Sequence, residues 1–312
     1  MMKSALPPPQ QQTIYLLTTA LHLFCLKLFC YLDDYNVVII TNLNNIEKHD
    51  IVIPCSVGAQ EIYYKNNIYK LLDNKTLFYK YLYDNYNDKM QNIRFIPSYD
   101  KYYKGENKNS MFLIKPNDDF GSKNQIIESG FIYEIISKYS NSYQIQDIID
   151  INVIYEIDFV CKKGNIIGSI FHKTYNKTRT TCDYIIGVDS IQTKNIPNEI
   201  VKLCKKIIED TKYNGLIQFE FIKDTKGTIY IMECNPRISG HLTNPQYFKK
   251  LIEPMYNVKS RYCDYCIKQS SCDSDSDNEV KICNYVHEVN TNLAYQISKV
   301  YNRTDWLVGF IL

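Results

Sequence analysis

The run "IQFEFIKDTKGTIYIMECNPR", residues 217 to 237, is two alternating apolar stretches joined by a short polar loop that contains Gly227. Alternation of period two on both arms selects an antiparallel hairpin, because only that arrangement sends one set of side chains into a core. With the turn at Lys226-Gly227, Glu220 falls opposite Glu233, their Cβ atoms about 5 Å apart on one face, and Asn235 comes next along that face. Like charges facing each other destabilise a sheet, so the pair invites a cation. Two carboxylates and an amide oxygen are hard ligands of the kind Mg²⁺ takes. Arg237, two residues on, is placed to hold a phosphoryl oxygen by charge-assisted hydrogen bonds. On spacing alone the same glutamates also fit the solvated face of a surface hairpin.

The rest of the chain alternates between strand and helix signals. Residues 1–12 read as a disordered tail. Ile14 to Leu17 and "NVVIIT" from Asn36 read as strands with a helix to about Leu32 between them, and "HDIVIPCS" as a third strand. Residues 13–32 also have the length of a membrane span, but His22 and Lys27 near the middle favour the βαβ reading. A helix is expected from about Gln60 to Leu72, then one from Lys75 capped by Asp73 or Asn74. "IRFIPSY", "MFLIKP" and "YQIQDII" read as strands, with a helix over 127–139. The long run from Ile154 reads as a hairpin turning at Lys163-Gly164. A helix over 197–211 leads into the carboxylate hairpin, and regularity fades after about Pro254.

Composition narrows the function classes. A formal charge of +2 shows no pull toward nucleic acid or an anionic membrane. Eleven cysteines, an odd number scattered singly, suit a reducing, cytoplasmic compartment better than a disulfide framework. In the tail, the C-x-x-C pair Cys263 and Cys266 with Cys272, Cys283 and His287 offers a zinc knuckle, but the second half lacks the paired spacing, and beside the low-complexity "SDSDSD" these cysteines read as incidental. Motifs for P-loop, zinc-protease and serine-hydrolase chemistry are absent.

Glu233-Cys234-Asn235-Pro236-Arg237 resembles the E-x-N-P-R metal-binding signature of ATP-grasp enzymes, particularly the carbamoyl phosphate synthetase-like and amino-acid ligase branches. Three upstream segments extend the resemblance in order. "NKTLFYKYL" is similar to the family's first nucleotide lysine at a helix start, which implies Lys75. "FLIKPNDDFGSKN" is similar to the strand lysine and phosphate-covering loop, which implies Lys115 with Gly121 and Ser122. "YQIQDII" is similar to the hinge that meets adenine, which implies Gln146, Asp147 and Ile148. The ribose-binding carboxylate of the family falls on Ile154 here, so that role is lost or passes to Glu156. The phosphate loop is poorer in glycine than the family's and carries Asp118 and Asp119.

The resemblance implies an α/β chain with an ATP-grasp fold of two α+β lobes over residues 73–255. A small βαβ-type domain over 13–72 precedes it, and a C-terminal segment over 256–312 follows. It implies ATP and Mg²⁺, with Mn²⁺ as an alternative, held by Glu220, Glu233 and Asn235, and Arg237 in a catalytic role. The partners it implies are a small carboxylate and an amine, joined through an acyl phosphate, with no nucleic acid or membrane. A non-catalytic ATP-binding module of the same fold is the competing reading.

Overall fold

The computed structural model describes residues 13–19, 32, 35–44, 46–47, 50–90, 92–116, 126–139, 142–175, 181–186, 196–239 and 248–258. The chain divides into two compact units, one formed by Met1–Lys65 with Arg237–Leu312, the other by Asn66–Pro236.

In the first unit, β1 (Thr13–Leu17), β2 (Asn36–Ile40) and β3 (Ile51–Pro54) form a parallel sheet in the order 2-1-3. β1 is the central strand, and its Ile14, Leu16 and Leu17 are fully buried. The first five residues of the membrane-length stretch are therefore a strand; the expected helix that follows lies outside the described residues. Among the described residues no helix is long and apolar enough to cross a membrane. Helix α1 (Val57–Tyr64) starts at Ser56, whose side chain accepts from the Ala59 N–H, and packs Ala59 into a small core with Leu17 and Val52.

The second unit opens with two helices, α2 (Ile68–Asp73) and α3 (Lys75–Tyr86). The continuous helix expected over 60–72 is instead broken: Lys65 adopts φ 54° and closes α1, and α2 begins after Asn67. Asn74 does cap α3, its Oδ1 accepting from Leu77 N at 3.0 Å, and the stripe of Phe78, Leu82 and Tyr86 faces inward. Asn74→Ala is expected to cost about 1 kcal/mol of stability, read as a lower denaturant midpoint at an unchanged m-value.

A four-stranded sheet in the order β5-β8-β6-β7 contains β5 (Ser98–Tyr99), β6 (Asn109–Pro116), β7 (Ile126–Phe131) and β8 (Tyr143–Asp147). Helix α4 (Ile132–Tyr139) covers it, burying Ile132, Ile135 and Ile136 against Phe112, Ile114 and Ile145. The helix expected over 127–139 is thus half strand. "IIESGF" alternates in exposure along its length and pairs antiparallel with β6, and that ladder overrides its helical spacing.

The six-stranded sheet runs β11-β10-β9-β12-β13-β4, with β4 (Ile93–Phe95), β9 (Ile151–Lys162), β10 (Asn165–Tyr175), β11 (Thr181–Ile186), β12 (Gly215–Asp224) and β13 (Ile229–Asn235). Lys163 at φ 52° and Gly164 at φ 80° make the two-residue turn between β9 and β10. Helix α5 (Asn198–Asp210) buries Ile200, Val201, Cys204, Ile207 and Ile208, the apolar face of an amphipathic helix. Phe159, Phe171, Phe219 and Phe221 are fully buried in this sheet.

Candidate active site

The carboxylate hairpin has the expected pair by an unexpected route. Near its tip Lys223 pairs with Ile229, and Asp224 N bonds to Thr228 O at 3.0 Å, so the loop is three residues, Thr225 to Gly227, with Gly227 at φ 91°. Asp224 Oδ1 accepts from Lys226 N and Thr228 N and holds that loop closed. Continued regularly, this register would set Met232 opposite Glu220. A β-bulge intervenes between Glu220 and Phe221, the pairing shifts by one, and Glu233 lands opposite Glu220. The bulge also switches the faces of the strand. Ile231 pairs with the buried Phe221, yet Glu233, two residues on, faces the polar side with Glu220.

Asn235 gathers this side. Its Nδ2 donates to Glu220 Oε1 at 2.9 Å, Glu233 Oε1 at 3.3 Å and Gln218 Oε1 at 3.2 Å. Two carboxylate oxygens from adjacent strands therefore converge on one donor, as they would on a small cation, so the residues fit a hard metal ion. The next strand continues the row, since Glu156 on β9 pairs with Glu220. It does not complete a cluster: among the described residues no three His, Cys, Asp or Glu side chains are arranged to hold a metal.

Two lysines from different elements lie within electrostatic range of the same carboxylates. Lys75, at the first turn of α3, has Nζ 4.0 Å from Glu233 Oε2. Lys115 on β6 is buried at 4% exposure. Burial pulls its ammonium pKa below the ordinary 10.5; Glu233 and Glu220 push it back up and Lys75 lowers it further. The segments around Lys75, Lys115 and the hairpin, more than 100 residues apart at the extremes, thus form one electrostatic cluster.

The segment expected to be the hinge is less uniform. Gln146 on β8 is buried and its Nε2 donates to Tyr79 Oη at 3.3 Å. The Asp147 side chain points to the other face, where Lys108 Nζ lies 2.7 Å from Oδ1 and Tyr99 Oη 2.9 Å from Oδ2. Ile148, beyond the end of the strand, is 43% exposed. Gly121 and Ser122 lie outside the described residues, as do Asp118, Asp119 and the tail cysteines. Arg237 belongs to the first unit, where its Nη1 donates to the Ile238 carbonyl at 3.3 Å.

Tyr79 and Gln144 are not singled out by the sequence motifs. Tyr79 stands four residues after Lys75, hence on the same helix face, and its hydroxyl donates to Ile231 O at 2.8 Å and lies 3.2 Å from Met232 O. It therefore supplies a donor to carbonyls at the bulge, and burial holds its own pKa well above the usual phenol value. Gln144 pairs with Lys115 across β8 and β6, and it is buried. A polar residue alternating with apolar ones in "YQIQD" is the signal that marks it.

No family model and no curated protein matches the sequence. Solved structures do resemble it in fold. An L-amino acid ligase from Bacillus licheniformis aligns at TM-score 0.51 and 12% identity, covering 79% of this chain and 73% of its own. D-alanyl-alanine synthetase A from Vibrio cholerae aligns at 0.50 and 14%, covering 83% and 97%. A biotin carboxylase from Campylobacter jejuni, solved in complex with β,γ-ATP, aligns at 0.51 and 12%, covering 80% and 71%. At these identities the likeness is one of fold, and the fold of this chain is ATP-grasp.

Proposed function

We propose that the chain is an ATP- and magnesium-dependent ligase that activates a small carboxylate as an acyl phosphate for attack by an amine. The observation that carries this reading is the convergence of Lys75, Lys115, Glu220, Glu233 and Asn235 in one cluster drawn from helix, small sheet and large sheet. Two ammonium groups suit the oxygens of a triphosphate, and two carboxylates with an amide suit Mg²⁺, or Mn²⁺ with the same oxygen preference. The metal, when bound, neutralises charge developing on the transferred phosphoryl group.

Around that cluster, the Gln146 side chain takes the base side of the nucleotide with the chain that leaves β8 at Ile148, the Asp147 side chain being held on the other face by Lys108 and Tyr99, and Glu156, beside Glu220 in the ladder, takes the ribose. The resemblance assigns Gly121 and Ser122 to the phosphates and Arg237 to an acyl or phosphoryl oxygen. A carboxylate oxygen of the substrate attacks the γ-phosphorus, the bond to the β-phosphate oxygen breaks, and ADP leaves. The amine nitrogen then attacks the acyl carbon, and phosphate departs with the oxygen the acid supplied. The protein's part is positioning and charge compensation. Four buried cysteines without disulfides among the described residues support a reducing, cytoplasmic setting.

Incubation with ATP, magnesium and pools of small carboxylic acids and amines is expected to release ADP, and not AMP, only when the right acid is present. With that acid labelled by ¹⁸O in its carboxylate, the label is expected in the released phosphate. ADP without label transfer would rule out the acyl phosphate. ATP binding without turnover across broad pools would identify a nucleotide-binding module that lacks the chemistry.

A further inference from the structure

The face of the small sheet that carries Lys115 holds two buried amide oxygens. Ile145 packs into the core with Phe112 and Ile114, so Gln144 and Gln146 alternate to the opposite face. Gln144 is 6% exposed and Gln146 1%, and neither Oε1 has a hydrogen-bond partner within the described residues. Leu113 pairs with Gln146 on one side and Ile127 on the other, and Ile127 is 63% exposed. Apolar side chains beside buried, unanswered acceptors suit a flat heteroaromatic ring that brings N–H donors.

The orientation of the Gln146 amide follows from counting protons. Ile231 O, like any carbonyl, only accepts, so the Tyr79 hydroxyl proton is committed to it at 2.8 Å. A Tyr79 oxygen that has given its proton away can only accept from Gln146, so the group facing it at 3.3 Å is Nε2 and Oε1 is turned away. Flipping the amide would set Oε1 against an oxygen with no proton to offer, or would strip a buried carbonyl of its donor, and both are unfavourable.

We propose that Tyr79 is a positioning residue that fixes Gln146 as a hydrogen-bond acceptor, so that this face takes a base presenting an exocyclic amine and rejects one presenting a carbonyl. The inference rests on the nucleotide reading above and adds to it a determinant of base choice. Tyr79 touches no ligand in this account. Its effect passes through the amide it orients.

The test compares ATP with inosine triphosphate, which replaces the 6-amino group by a carbonyl, in magnesium-dependent binding by calorimetry on the full chain. Wild type is expected to favour ATP by roughly tenfold or more, the scale on which a buried, unmet acceptor discriminates. Tyr79→Phe frees the amide to turn, and the ratio is expected to fall to within about threefold of unity, mainly through tighter inosine triphosphate binding. Gln146→Leu, which leaves the Tyr79 bond to Ile231 intact, is expected to lose the preference through weaker ATP binding, so the proposal stays testable should Tyr79→Phe fold poorly. A wild type that binds both nucleotides equally, or a Tyr79→Phe protein that keeps the full preference, would overturn the lock while leaving the nucleotide site standing. Failure to bind either nucleotide would instead overturn the reading beneath it.

Discussion

Glu233→Gln is expected to weaken magnesium-dependent nucleotide binding by about two orders of magnitude or more, the scale of loss that even indirect partners of a metal can cause. The replacement is nearly isosteric and removes one negative charge from the two that face each other across β12 and β13. It also removes the carboxylate that lies 4.0 Å from Lys75 Nζ. Stability is expected to change by less than about 1 kcal/mol, because relief of the repulsion with Glu220 offsets loss of a weak ion pair. Calorimetry with and without magnesium, beside thermal melting, separates the two effects. Unchanged magnesium-dependent affinity would remove Glu233 from the site.

Lys115→Met has the opposite balance of effects. The ammonium is buried at 4% exposure, and its pKa lies below the ordinary 10.5 because desolvation outweighs the pull of Glu233 and Glu220. A lysine that binds its proton less tightly when folded destabilises the fold wherever it is charged. That destabilisation is complete below the folded pKa and is relieved as pH rises from there toward 10.5. Methionine fills nearly the same volume without a charge, and because the net effect of the site is to disfavour the ammonium, stability at neutral pH is expected to rise. The stability gap between variant and wild type is expected to narrow as alkaline pH titrates Lys115. Nucleotide binding is expected to be lost altogether, since a buried point charge for phosphate oxygens is gone. A variant that is less stable than wild type, or that binds nucleotide normally, would contradict this account of Lys115.

The hairpin shows how far the sequence could be read. Alternation in "IQFEF" and "IYIME" identifies both strands, and the facing of Glu220 and Glu233 follows once the register is fixed. A two-residue turn at Lys226-Gly227 predicts that register. The observed three-residue loop does not, and the bulge beside Glu233 makes up the difference. The loop does have a local pattern, Asp224 with Gly227 three residues on, which the two-residue reading passes over; the bulge has none, and it lies where the Tyr79 hydroxyl reaches Ile231 O from a distant helix. The same limit explains "IIESGF", whose spacing suits a helix until β6 offers it a ladder. The Asn74 cap was legible because a cap is a bond between neighbours in sequence.

The four charges of the cluster already answer one another: Asn235 Nδ2 sits between the carboxylates, and Lys75 leans toward Glu233. Lys75 and Lys115 balance Glu220 and Glu233 two against two, with Glu156 beside them in the ladder. On the nucleotide reading, entry of ligands is therefore an exchange of partners and not an addition to waiting charges. A metal ion alone must displace the Asn235 donor and crowd two lysines. A triphosphate alone must draw those lysines away and leave two carboxylates facing each other. When both arrive together each residue trades one counter-charge for another, so metal and nucleotide bind with positive cooperativity, each raising the other's affinity by the same factor.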